Sequence, residues 1–193
     1  MLKHILVALS DMEYSILFSG HMIDAPGRTS PRFPPENEAI VRSIMKMHLL
    51  EERSRRNGEL KGIASGACGG DILFHELCEE LGIHSEIYLP LPAAEFKKAS
   101  VSFAGKDWDK RFDHLVHQLP VHLLPAANST LNIYERVNIW MLDIALKNGA
   151  ENMMLMTVWN GQPGDGNGGT AHMVDVTEKN GGVVKIITSA IPH

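Results

Sequence analysis

The chain has 193 residues, 44% of them hydrophobic and 21% charged, with a formal net charge of -5. That profile fits one globular domain able to bury a core without disulfides or metals, and it excludes the basic footprint of a nucleic-acid or membrane-surface binder. The two cysteines, Cys68 and Cys78, match neither a zinc pattern nor a disulfide framework, and no leader or spanning stretch is visible, so a cytoplasmic protein is expected.

Residues 1–13 read as a lead-in, with a helix from Leu2 to Leu9. The first strand is Tyr14 to Phe18, followed by a Pro- and Arg-bearing loop from Gly20 to Pro35. Ile40, Ile44 and Met47 at helical spacing predict a helix over Glu36 to Arg56. A second strand spans Lys61 to Ala64, and the run from Ile72 to Leu81 is an amphipathic helix. The third strand, Glu86 to Leu89, is ended by Pro90-Leu91-Pro92. One or two helices fill Ala94 to Leu119, and a short fourth strand covers Val121 to Leu124. Asn132 to Lys147 is a helix with Ile133, Val137, Trp140, Met141 and Ile144 on one face, ended by Asn148-Gly149. The fifth strand is Met153 to Val158; a helix after Gly169 and a sixth strand, Val183 to Thr188, complete the pattern.

Strand and helix alternate throughout. This predicts an α/β fold, a Rossmann-like three-layer sandwich with a mainly parallel sheet of about six strands, as one domain over residues 1–193. The expected order is third, second, first, fourth, fifth, sixth, which puts the turns after the first, second, fourth and fifth strands around the switch point.

Three turns stand out. Ser65-Gly66-Ala67-Cys68-Gly69-Gly70-Asp71 joins a strand to a helix; Ser19-Gly20-His21 follows the first strand; and a glycine-rich loop from Asn160 ends in Gly168-Gly169-Thr170 before another helix start. Glycines let a ligand approach the backbone, and free N–H groups at a helix N-terminus attract anions. On parallel strands the three turns share one rim, and their convergence points to a nucleotide-like ligand. The turn from Ser65 is neither GxGxxG nor a P-loop.

Around those turns, Arg28 and Arg32 offer guanidinium forks to phosphate oxygens, or are exposed loop arginines. Arg136 lies on the same rim, or pairs with Asp143 or Glu135. His21 and Asp24 bond a ribose or base, act as an acid–base pair, or hold the loop. Asp71 caps its helix or meets the ligand. Asp165 contacts a ribose hydroxyl or a metal, or stabilises a turn. Trp159 is placed to stack on a base. Cys68 reads either as a reactive thiol at a helix N-terminus or as a small residue in a tight turn. Ten histidines include no HxH or HExxH spacing, so no metal is expected.

The Ser65–Asp71 turn, continued to His75, resembles the SGxAxGID…AH turn of the DprA/Smf family, and Gly168-Gly169-Thr170 resembles the PGGxGTxxE motif of the LOG (Lonely Guy) phosphoribohydrolases. Both belong to the SLOG superfamily of Rossmann-like nucleotide-binding domains. Phe18 to Asp24 with Arg28, Arg32 and Phe33, and Tyr134 to Met141, are similar to further SLOG-like domains, over roughly residues 14–190. The resemblance implies a nucleotide-derived ligand, a signalling or repeat-domain partner, and self-association. It departs at one place: where LOG enzymes keep a glutamate three residues after their threonine, this chain has Met173. A thioether exchanges no proton, so the LOG chemistry does not carry over. The expectation is a nucleotide-sensing module, with a nucleotide-processing hydrolase as the alternative, His21, Asp24 or Asp165 then replacing the glutamate. A single-strand nucleic-acid binder is disfavoured by the acidic charge.

Overall fold

A computed structural model describes residues 13–56, 58–162 and 169–189. The expected Leu2–Leu9 helix, Asp165 and Gly168 lie outside the described residues. The strands are β1 (Tyr14–Phe18), β2 (Leu60–Ala64), β3 (His84–Leu89), β4 (Val121–Leu123), β5 (Met153–Trp159) and β6 (Val183–Thr188). The helices are α1 (Glu38–Arg55), α2 (Gly70–Leu81), α3 (Ala93–Ser100), α4 (Lys106–Gln118), α5 (Ile133–Ala145) and α6 (Thr170–Lys179).

The six strands form one sheet in the order β4-β3-β2-β1-β5-β6, with every pairing parallel. The α/β class is as expected; the order is not. The fourth strand sits on the outer edge beyond β3, not between β1 and β5. Its three residues leave Val121 40% and Leu123 54% exposed, whereas every residue of β1 is buried. A short run such as Val121-His122-Leu123 reads the same in either position, but a strand at the centre of a parallel sheet is covered on both faces. The switch point is therefore the β1/β5 boundary, and the turn after β4 is carried away from it.

Side chains alternate across the sheet, as the two-residue period of a strand requires. Ile16 and Phe18 face α1, α2, α3 and α4, while Leu17 faces α5 and α6. The first layer buries Val41, Met45 and Leu49 of α1, Leu73 and Leu77 of α2, and Phe112 of α4. The second buries Val137 and Met141 of α5 and Met173 of α6.

Of the three apolar residues that marked α1 in the sequence, Ile44 packs against the core while Ile40 and Met47 face outward. Ile40 is 45% and Met47 50% exposed, and Val41, Met45 and Leu49 meet the sheet instead. The helix carries two apolar stripes side by side, and helical period alone does not say which one packs.

On the opposite layer, α5 starts as the sequence indicates. The Asn132 side chain accepts from the Glu135 N–H at 2.9 Å, and its Nδ2 donates to the Glu135 carboxylate at 3.2 Å. That satisfies an orphan donor of the first turn. No helix among the described residues is long and apolar enough to cross a membrane.

Candidate functional site

A cavity of about 380 Å³ opens at the carboxyl ends of β1 and β2 and the start of α6, beside the switch point. The β1 exit lines it with Phe18 to Met22, the β2 exit with Ser65, Ala67 and Asp71, and the start of α6 with Gly169 and Thr170. Arg32 adds a cation, α3 contributes Phe96, Ala99 and Ser100, and α5 contributes Tyr134, Val137, Asn138 and Met141. The turns after β1 and β2 and the start of α6 thus meet in one cavity.

The β1 exit extends its strand's pairing. Ser19 N–H donates to the Met156 carbonyl at 3.3 Å and His21 N–H to that of Val158 at 2.9 Å. The chain then crosses onto the β2 turn. Ile23 N–H donates to Cys68 O at 3.0 Å, Gly70 N–H donates to His21 O at 3.2 Å, and Met22 bridges Gly69.

Gly69 is what permits this crossing. Its φ is +104°, and a Cβ there would stand 2.5 Å from the Ile23 nitrogen. The close approach at Gly69 is therefore to the protein's own backbone, not to a ligand, and the first free N–H of α2 is taken by a carbonyl.

Asp71 strengthens the same junction. Its carboxylate accepts from Ala67 N–H at 3.1 Å and from the Gly20 backbone. It sits in the first turn of α2 rather than at the cap position, which is Gly69, so it ties two turns together instead of capping. Burial raises its pKa to about 7, although both backbone donors pull it down. His75, in the next turn of α2, donates from Nε2 to the Ser65 carbonyl at 2.9 Å and accepts the Ser85 hydroxyl at Nδ1, 3.0 Å. Burial lowers its pKa to about 4, so it is a neutral strut.

Cys68 is fully buried and its thiol is pushed up to about 12, chiefly by burial and then by Asp71. Burial favours the small residue in a tight turn over the reactive thiol, because desolvation raises the pKa even beside a helix N-terminus.

The remaining sequence candidates divide. His21 lines the cavity, is 5% exposed and hydrogen-bonds Asn160 Oδ1 through Nε2 at 3.0 Å; burial lowers its pKa. Ser19, Gly20, Arg32, Ser65, Ala67, Asp71, Gly169 and Thr170 line the cavity with it.

Asp24 does not. It accepts from the N–H groups of Arg32 and Phe33 at 2.8 and 3.0 Å and pairs with Arg28, so it organises the loop. Arg28 also donates to Ser30 O at 2.8 Å. Arg136 donates to the Pro125 carbonyl at 2.7 Å, not to Asp143 or Glu135, because the turn after β4 lies at the sheet edge. Trp159 gives its indole N–H to Gln162 O at 2.7 Å and packs on the α5–α6 layer. Gly66 backs onto the Phe112 ring. None of these is among the cavity-lining residues.

The sequence reading missed the α3 and α5 wall. Phe96 and Ser100 were hidden inside an amphipathic stripe, and the signals on α5 were the resemblance of Tyr134 to Met141 to SLOG-like domains and a polar Asn138 on an apolar face. At the α6 end, Gly169 is the N-cap, with no side-chain cap bond and no acidic residue in the first turn among the described residues. Met173 is fully buried in the core and so does not face the cavity. Among the described residues no group of three His, Cys, Asp or Glu side chains forms a metal site.

No family model and no curated protein matches the chain. Among solved structures, DNA processing protein A (DprA) from Streptococcus pneumoniae is similar at 11% identity and a TM-score of 0.39, covering 91% of this chain. The alignment spans 59% of that structure's own length.

Proposed function

We propose that this cavity binds a nucleotide-derived ligand and that the domain reports its occupancy to a signalling or repeat-domain partner, fused or separate. The observation that carries the reading is the convergence of the β1 exit, the β2 exit and the α6 N-terminus on one cavity at the switch point of a parallel sheet. Ligands of open α/β sheets bind at such places. The anionic part of the ligand is assigned to Arg32, Gly169 and Thr170, because α6 begins without a side-chain cap among the described residues. The motif resemblance to SLOG domains points the same way, and self-association is part of the reading.

One observation favours the hydrolase alternative. Asp71 lines the cavity with a pKa of about 7, the range of a general acid at neutral pH. In that reading Asp71, not Asp24, is the acid. Native mass spectrometry of freshly purified protein, followed by calorimetry with ribonucleoside monophosphates, tests binding. A co-purified nucleotide or saturable binding is expected, and no binding at millimolar concentration overturns the proposal. Chromatography of incubated nucleotides separates the alternatives: base or phosphate release abolished in Asp71→Asn supports the enzyme, and unchanged nucleotides support the sensor.

A further inference from the structure

The cavity is not uniform. Its cation and the start of α6, Arg32 and Gly169–Thr170, lie toward β5 and β6. Ser189, just past β6, donates its hydroxyl to the Arg32 carbonyl, which fixes Arg32 at that end. Toward β2 and β3 the walls are α3 and α5, the latter packed over β1, β2 and β3. There the lining is aromatic and aliphatic. Phe96 is buried and stacked on Phe112 with ring centroids 5.9 Å apart. Tyr134, Val137, Asn138 and Met141 are spaced by three and four residues along α5, so they lie on one face over two turns. Three of the four present apolar surface. Asn138 sets an amide among them while only 8% exposed, and Tyr134 at the mouth is 40% exposed.

Resting on the nucleotide reading above, we propose that this wall is a nucleobase subsite: Tyr134 stacks on the base and Asn138 hydrogen-bonds its edge, while the sugar–phosphate runs toward Arg32 and Thr170. A planar base is apolar on its faces and polar at its edge, which is the chemistry of an aromatic ring beside a buried amide. An amide presents one donor group and one acceptor, matching base edges that carry an adjacent acceptor and donor. The cavity volume of about 380 Å³ is near the lower end of ligand-pocket sizes, so it holds one nucleotide unit. The second half of a dinucleotide would lie outside.

Calorimetry with the four ribonucleoside monophosphates, ribose 5-phosphate and inorganic phosphate tests this on wild type, Tyr134→Ala, Tyr134→Phe and Asn138→Ala. At least one monophosphate should bind wild type about tenfold or more tighter than ribose 5-phosphate. Tyr134→Ala should lose about that factor, Tyr134→Phe should keep it, and ribose 5-phosphate should be unaffected by either. Asn138→Ala should weaken the preferred base and flatten the preference among the four. Tyr134 is exposed enough that its variants fold even if Asn138→Ala does not. Ribose 5-phosphate binding as tightly as every monophosphate overturns the base subsite while leaving the nucleotide reading standing. So does a Tyr134→Ala protein with wild-type affinity for the preferred monophosphate. No binding of any probe to wild type overturns both.

Discussion

Two glycine-bearing turns lead into helices at this rim, and they are used in opposite ways. At the start of α2 the protein fills its own cradle: Gly70 N–H goes to the His21 carbonyl, Gly69 lies against the Ile23 nitrogen, and Asp71 takes the Ala67 and Gly20 N–H groups. At the start of α6, Gly169 and Thr170 line the cavity, with no side-chain cap among the described residues. A glycine-rich strand-to-helix turn therefore signals close approach, but the approaching atoms belong to the chain itself in one case and, in our proposal, to a ligand in the other.

The sharpest way to break this comparison is to put the same side chain at both glycines. Gly69→Val forces a β-branched residue into φ +104° with backbone at 2.5 Å. Strain and overpacking together should cost roughly 4 kcal/mol or more, a melting-temperature drop of about 8 °C or more. Gly169 has φ -80° and ψ -178°, extended backbone that any residue adopts. Gly169→Val should melt close to wild type and lose nucleotide affinity. Differential scanning calorimetry compares them, and equal melting temperatures for the two variants would end the distinction.

Asp71 sharpens the comparison through pH. Burial raises its folded-state pKa from 3.8 to about 7, so the native state holds the proton more tightly than the unfolded chain. The contribution to stability is fully present below 3.8 and is lost as pH rises through about 7. Over about three units at about 1.4 kcal/mol each, the loss is on the order of 4 kcal/mol. Asp71→Asn cannot ionise and should lose less stability than wild type between pH 5 and 8 in urea titrations. Parallel pH slopes for the two proteins would mean that the junction does not depend on this carboxyl.

Much of this architecture was legible and some was not, for identifiable reasons. The strands were recognisable as short apolar-rich runs between helical stretches, and β1 and β6 match the sequence reading residue for residue. The place of β4 depends on exposure, which Val121-His122-Leu123 does not encode. The buried face of α1 was ambiguous because Ile40 and Val41 each begin an apolar stripe. At the site, single turns were recognisable, but their mutual pairing was not: nothing local says that His21 caps α2 or that Gly69 makes room for Ile23. Tyr134 and Asn138 fell within the stretch that resembles SLOG-like domains, but they were not picked out as site residues, since a helix stripe reads as core until a cavity is found beside it.

The two arginines of the long loop give a smaller effect. Arg32 lines the cavity, whereas Arg28 is held by Ser30 O and Asp24 outside it. A charged hydrogen bond is worth roughly 1.5–3 kcal/mol, so Arg32→Ala should weaken a nucleotide about ten- to hundredfold and the matching nucleoside far less. Arg28→Ala should change either affinity by less than about threefold, the scale of an exposed ion pair. Isothermal titration with nucleotide and nucleoside reads both, and equal losses in the two variants would remove the phosphate role from Arg32.

The smallest expected effect is an absence of reaction, and it probes how completely the α2 cradle is closed. Cys68 lies in a turn before a helix N-terminus, the setting that normally lowers a thiol pKa. Here its N–H donates to Ser100 O at 3.0 Å, its carbonyl accepts from Ile23 N–H at 3.0 Å, and its side chain is fully buried. Burial and the neighbouring Asp71 push the thiol up to about 12, so the thiolate fraction at pH 8 is negligible. Cys78 is also fully buried, with its pKa raised by burial. Native protein incubated with iodoacetamide at pH 8 should remain unmodified at both cysteines by intact-mass measurement, and denatured protein should take up two adducts. Stoichiometric labelling of Cys68 in the native protein would show the cradle open. Labelling that appears only in Gly69→Val would instead place the closure where the geometry puts it, in the contact between Gly69 and the backbone of Met22 and Ile23.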